Sequence, residues 1–173
     1  WVWLETRGQN RLDDDVLDGI VTVSRDVTRR IRRERALETL HDRTREMFRA
    51  ASREDLAEIT ALSAREVLGY PVTVVRLLSS DGQRLEPVAV TSRADDVLGD
   101  RPTYQVGEGT AGTAFANGEP KVYDDLRALD DEFDRGEARS GLFVPIGDHG
   151  VLGIGHTEVG ALDQADIQLG RIL

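Results

Sequence analysis

The chain has 173 residues, with 32 acids against 22 bases and a formal charge of −10. Its 39% hydrophobic and 31% charged residues supply a core and exclude a disordered chain. The absence of cysteine excludes disulfides, thiolate-held zinc or iron–sulfur clusters, a cysteine nucleophile and thioether attachment of a tetrapyrrole.

Trp1 to Thr6 alternates large apolar and polar side chains, and Ile20 to Ser24 alternates again, so both are expected as strands. The polar stretch from Gly8 to Asp15 is expected to connect them. Two strands cannot stand alone in water, so this piece needs more of a sheet. From Val27 the pattern turns helical and charged: residues 25–46 hold eight arginines and five acids. Leu37, Leu40, Thr44, Met47 and Ala51 follow the three-then-four spacing of a coiled-coil seam. That spacing predicts a long helix over 27–51 that pairs with a second copy of the chain.

A further helix opens at Ser52, where Asp55 three residues on completes a capping-box pattern. Leu56, Ile59, Leu62 or Ser63, and Val67 are expected on its apolar face, and Gly69 with Pro71 ends it. Strands are expected next at Val72 to Leu78 and Arg84 to Val90, around the turn-forming Ser80-Asp81-Gly82. Residues 92–139 are loop-rich, with short helical pieces near 93–98 and 111–117. Two more strands, Gly141 to Ile146 and Val151 to His156, flank Gly147-Asp148-His149-Gly150. A last helix starts near Leu162. The longest apolar run, Leu142 to Ile146, is about five residues and too short to cross a membrane. No basic-then-apolar leader opens the chain, which begins strand-like and ends helix-like. A cytoplasmic piece of a longer protein is the expectation.

Gly107-Glu108-Gly109-Thr110-Ala111-Gly112 matches the dinucleotide fingerprint, with Asp130 and Asp131 about twenty residues on. The fingerprint works only when a full crossover helix aims its N-terminus at pyrophosphate. Gly118 and Pro120 stop this helix after about two turns, so a tight glycine turn into a short helix is expected instead. His41-Asp42-Arg43-Thr44 is faintly similar to a histidine-kinase phosphoacceptor box, but Arg45 stands where that box has proline. A solvated histidine on a helix face is expected there. His149 and His156 fall in a turn and at a strand end, no His-x-x-x-His pairing exists, and no metal site is expected. Asp124 to Glu137 holds seven acids and two arginines without the spacing of a calcium loop, and is expected as a solvated loop.

Lys121 is the only lysine, so 21 of the 22 bases are arginine. Acid excess with almost no lysine is what a cytoplasm holding molar salt would favour, since carboxylate repulsion is screened there. The net charge argues against a nucleic-acid surface, which needs a basic footprint.

Ile20 to Thr28, with arginines after it, resembles the last strand of a PAS domain, in which an Asp-Ile/Val-Thr motif opens a signalling helix. Here the motif is Asp26, Val27 and Thr28, and residues 1–26 would be only the end of that domain. Gly107 to Gly112, Gly118-Glu119-Pro120, Val122 to Asp125, Arg139 to Ile146, Gly150 to Gly155 and Ala161 to Asp166 resemble, in that order, a GAF domain over 52–173. The resemblance implies an α+β fold, a GAF-like antiparallel sheet flanked by helices. It also implies a ligand pocket at Tyr104, Thr110, Phe115, Tyr123, Asp124, Phe133, Arg139 and His156. The chain lacks the bilin cysteine and the asparagine–lysine–phenylalanine–aspartate–glutamate set of cyclic-nucleotide-binding GAF domains, which leaves cofactor and ligand unknown. Acidity and the Leu40 to Thr44 helix look most like PAS–GAF regulators of halophilic archaea, either bacterio-opsin activator-like or multi-sensor histidine kinases. Such modules sense and dimerise without catalysing: a parallel homodimer through Leu37, Leu40, Thr44 and Met47, with or without a small-molecule ligand, and no contact with nucleic acid or membrane.

The charge balance generates a salt test. The midpoint of thermal unfolding is expected to rise by many degrees between about 0.1 M and about 1 M salt, as the Debye length falls from roughly 10 Å to roughly 3 Å. A midpoint that stays flat across that range rules out adaptation to molar salt.

Overall fold

The computed structural model describes residues 2–11, 19–28, 30–31, 43, 45–70, 72–98 and 101–171. The chain divides into two compact units, Trp1–Glu38 and Thr39–Leu173.

In the first unit β1 (Leu4–Arg11) pairs antiparallel with β2 (Gly19–Asp26), from Leu4 opposite Asp26 to Arg11 opposite Gly19. β1 is therefore longer than the alternation predicts: Gly8 to Arg11, expected in the connection, belong to the ladder. Backbone amides form the ladder whatever the side chains, and on an exposed ribbon polar side chains lose no hydration by joining it. Val2, Leu4, Ile20 and Val23 are all more than 60% exposed, so among the described residues of this unit neither face of the hairpin is packed.

The Asp26-Val27-Thr28 motif ties the ribbon to a helical start. The Asp26 carboxylate accepts the Thr28 N–H at 2.8 Å, capping a first turn in which Ile31 N–H reaches Val27 O at 3.0 Å. The Thr28 hydroxyl accepts the Trp3 N–H at 2.9 Å, and the Val27 N–H donates to Trp3 O at 2.9 Å. Each residue of the motif thus bonds either the helix start or the opening of β1.

Leu37, Leu40 and Thr44 of the expected seam, like His41, lie outside the described residues. Met47 is helical and half-buried, but the helix ends there. Ala51 stands beyond it, because its N–H and that of Ser52 both donate to the Asp55 carboxylate, at 3.0 and 3.2 Å. The same carboxylate completes the capping box of α1 (Arg53–Leu68), whose Ser52 hydroxyl accepts the Asp55 N–H at 3.0 Å. Gly69 stops α1 at φ +75°, as expected.

The buried face of α1 departs in part from the predicted one: Ser63 is fully buried and Ile59 half-buried, but the leucines are not. Ala57, Ala61 and Ala64 pack on the sheet at 2%, 2% and 0% exposure, whereas Leu56 and Leu62 are 40% and 37% exposed. Small side chains let the helix axis approach the sheet closely, and the larger aliphatics are turned toward solvent. Size beats hydropathy here.

The sheet has six strands in the order β5-β4-β3-β8-β7-β6, every pairing antiparallel. They are β3 (Val72–Leu78), β4 (Arg84–Val90), β5 (Tyr104–Gln105), β6 (Lys121–Tyr123), β7 (Ser140–Ile146) and β8 (Gly150–His156). β5 and β6 fall in the stretch expected as loop, because two and three residues cannot show an alternation. One face packs under α1 and α4 (Gln164–Gly170) through Val75, Leu142, Val144, Leu152, Ile154 and Ile167. The other meets α2 (Ser92–Val97) and α3 (Gly109–Asn117).

The glycine fingerprint opens α3, but β6 comes after it in an antiparallel pairing with β7, so no dinucleotide crossover exists. Gly112 serves close packing instead: a Cβ there would lie 2.1 Å from Gln105 O, inside contact distance of fixed backbone. Gly118 ends α3 at φ +65° in open space. Gly112→Ala is therefore expected to cost about 1–3 kcal/mol or more through overpacking, and Gly118→Ala about 1 kcal/mol through backbone strain. Thermal melts should rank Gly112→Ala clearly below Gly118→Ala, and the reverse order would refute the packing role.

Candidate functional site

Strand alternation makes the site. β3 turns Thr73, Val75 and Leu77 toward α1, and Val72, Val74 and Arg76 toward the opposite face. Beside it, β8 sets Gly153 opposite Val74 and Gly155 opposite Val72. With no side chains at these two positions, neighbouring side chains close over the glycines and leave a small space beside them. A Cβ on Gly155 would meet Val72 at 3.1 Å and Ala138 and Leu98 at 3.8 Å, and one on Gly153 would meet the Phe143 ring at 3.4 Å. The result is a cavity of about 50 Å³ walled by Val74, Leu98, Leu126, Ala138 and Phe143, with Arg76, Arg101, Pro102, Tyr104, Asp134 and Arg135 also on its lining. At roughly 10–15 Å³ per water it holds a few waters or a short apolar chain.

Three arginines reach this small apolar space. Arg101 is paired with Asp95, and Arg135 holds Asp131 with two bonds of 2.6 and 2.5 Å. The Arg135 bonds keep the Asp131 carboxyl below its ordinary range. Arg76 differs from both. It is 5% exposed, its Nε donates to Pro102 O at 3.3 Å, and its guanidinium lies 4.9 Å from the centre of the Tyr104 ring. Burial lowers its pKa, Tyr104 opposes that fall and the Arg101 charge adds to it. No carboxylate among the described residues is within ion-pair distance of it. The Arg135 Nε is also buried without a hydrogen-bond partner among the described residues.

The eight residues expected at a pocket divide into two sets. Tyr104 lines the cavity, and Phe133 stacks against it with ring centres 4.5 Å apart. Gly109, at φ +61°, makes that stack possible: a Cβ there would fall 2.5 Å from the Tyr104 ring and 2.8 Å from Phe133. Tyr123 meets the cavity residue Phe143 edge-on at 5.8 Å, and Phe115 packs in the same apolar cluster. Thr110 is 1% exposed in α3 with a hydroxyl that has no hydrogen-bond partner among the described residues. Of the eight, only Tyr104 lines the cavity itself, and Asp124, Arg139 and His156 are outside the aromatic cluster beside it as well. Arg139 pairs with Asp125 at 3.2 Å, the His156 Nδ1 accepts the Glu158 N–H at 3.0 Å, and Asp124 is exposed. Arg76, Arg101, Arg135, Leu98 and Phe143 are not among the expected residues. One sequence signal marks Arg76: it continues the inward register of Val72 and Val74 in an otherwise apolar strand.

The run from Asp124 to Glu137 is also more ordered than a solvated loop. Asp125 accepts the Arg127 N–H at 3.1 Å to start a short 3-10 turn (Leu126–Ala128), and Asp134 accepts the Gly136 N–H at 2.8 Å. Among the described residues no cluster of three His, Asp or Glu is placed to hold a metal ion, and no helix is long and apolar enough to cross a membrane.

Several known proteins share this architecture. Free methionine-R-sulfoxide reductase from Neisseria meningitidis, solved with its substrate, is 19% identical at a TM-score of 0.65, covering 82% of this chain and 84% of that one. The GAF domain of a phosphoenolpyruvate-protein phosphotransferase from Coxiella burnetii is 17% identical at 0.63, covering 79% and 86%. A methyl-accepting chemotaxis protein, over its residues 122 to 287, is 16% identical at 0.59, covering 78% and 90%. Identities this low establish the fold alone. No curated protein sequence matches the chain. The family profile described as GAF domain, a sensory and signalling module found in chemotaxis and phosphotransfer proteins, matches residues 50–173. With most of its length matched, and the match lying inside the second compact unit, this chain belongs to the GAF domain family.

Proposed function

We propose that the chain is the sensory and dimerisation module of a signal-transduction or transcription regulator of the PAS–GAF type, from a salt-adapted archaeal cytoplasm. The hollow on the β3–β8 face carries this reading: a folded domain otherwise fills its sheet faces, and here a small space is left beside two glycines. A small molecule entering it, or a redox or light-type stimulus, biases two states of the helix that begins at Thr28, and the output domain reads that bias. The exposed apolar hairpin and the Asp26-Val27-Thr28 bonds support taking residues 1–26 as the closing strands of a PAS domain. A second reading is the sensor region of a multi-sensor histidine kinase, in which the parent, and not this module, would be the enzyme. The fold likeness to a sulfoxide reductase does not favour catalysis, because a chain without cysteine has no thiol to reduce a sulfoxide.

Two measurements test the reading. Ala138→Leu fills the cavity, so in the parent regulator it is expected to hold output in one state whatever the stimulus, with circular dichroism confirming the fold. Output that still responds would sink the sensory role of the cavity. The parallel homodimer is proposed through Leu37, Leu40, Thr44 and Met47, where burying each large side chain contributes roughly 1.5–3 kcal/mol. Light scattering in molar salt is expected to give a dimer for the wild type and a monomer for Leu40→Asp, while a dimeric Leu40→Asp places the seam elsewhere.

A further inference from the structure

Arg76 is the most unusual group in the domain. A guanidinium taken out of water is ordinarily matched by a carboxylate, and this chain carries ten more acids than bases (32 against 22). Arg101 and Arg135 each have their acid, Asp95 and Asp131. Arg76, more deeply buried than either, has none among the described residues. Its Nε is committed to Pro102 O and one face of its plane to Tyr104, while its two terminal nitrogens bond to no described residue.

We propose that the cavity binds a small monocarboxylate with a short apolar tail, its carboxylate taken by the Arg76 fork. This rests on reading the cavity as a ligand site and adds the chemical class of the ligand. A planar guanidinium presents paired donors that match the two oxygens of a carboxylate. The Arg101 charge nearby, which depresses Arg76 ionisation, favours an anion in the same place. Asp134 is also on the lining, but it is exposed and its Oδ1 accepts the Gly136 N–H, so the arginines set the sign of the charge the cavity takes. A carboxylate with a short tail satisfies the planar fork and the apolar walls together, and phosphate, which has no apolar part, satisfies only the charge, which separates the two. The remaining walls, Leu98, Leu126, Ala138 and Phe143, offer only apolar contact, and about 50 Å³ limits the tail to a few carbons.

The test is an NMR titration of the whole chain at constant ionic strength, following the amides of Ala138, Gly153 and Gly155. The probes are butyrate, its neutral isostere butyramide, and inorganic phosphate. Butyrate is expected to shift all three amides saturably, butyramide to bind about tenfold or more weakly, and phosphate to leave them unmoved. Arg76→Met should weaken butyrate about tenfold or more and leave butyramide unchanged. Should Arg76→Met fail to fold, Arg76→Lys, which keeps the charge and loses the fork, should still weaken butyrate relative to butyramide. Equal binding of butyrate and butyramide, or butyrate affinity unchanged in the Arg76 variant that folds, overturns the anion preference and leaves the sensory cavity standing. Phosphate bound as tightly as butyrate overturns the preference for a carboxylate with an apolar tail and with it the proposal. Amides unmoved by every probe overturn both the carboxylate and the ligand cavity.

Discussion

The pairing of β3 with β8 decides what each side of the sheet can be. Val72 lies opposite Gly155, Val74 opposite Gly153, and Arg76 opposite Val151. Antiparallel partners project to the same face, so this register stacks the inward residues of β3 beside a row with almost no side chains. One residue of slip would put Leu152 and Ile154 there instead, filling the hollow and stripping the α1 face of two core residues. The bulge between Val75 and Arg76 in the β3–β4 pairing belongs to the same arrangement. There Pro87 stands opposite Arg76, and its missing N–H costs the ladder least at an irregularity.

Much of this architecture is legible in the sequence. The strands at 72–78 and 84–90, the hairpin of β7 and β8, the capping box at Ser52 and the stop at Gly69 each rest on local chemistry that a few residues express completely. The failures have a common cause. β5, β6 and the extension of β1 through Arg11 exist because a partner strand supplies hydrogen bonds, and a partner is invisible to a local pattern. The misread face of α1 is different in kind: both stripes are apolar, and only the distance between helix and sheet favours Ala57, Ala61 and Ala64 over Leu56 and Leu62.

The site is less legible than the fold. Family resemblance leads to Tyr104 and to its stacking partner Phe133, because aromatic side chains beside a glycine turn leave a recognisable trace. It leads equally to Arg139 and His156, which sit at the ends of β7 and β8 and complete local bonds with Asp125 and Glu158. Arg76 escapes a local reading, since a single arginine in a strand usually marks a solvated face. Only the strand's neighbours in space reveal that this face is buried. An inward charge in the register of two valines raises the question of its counter-ion.

Arginine is used in two physically distinct ways here, and the contrast explains why the acidic loop is ordered. Arg43 with Glu46 and Glu66, Arg84 with Asp81 and Arg139 with Asp125 are all at least partly solvated pairs, each worth no more than about 1 kcal/mol. Their effect is positional. Arg135 with Asp131 and Arg139 with Asp125 fasten the 124–139 segment at two points, and Asp134 turns the chain through the Gly136 amide. That segment contributes Leu126, Asp134, Arg135 and Ala138 to the cavity lining. High salt weakens the exposed pairs and leaves a buried charge far less screened. In concentrated salt, therefore, the half-exposed Arg139–Asp125 pair weakens more than the more buried Arg135–Asp131 pair, and the charge of Arg76, only 5% exposed, is screened far less than any charge at the surface.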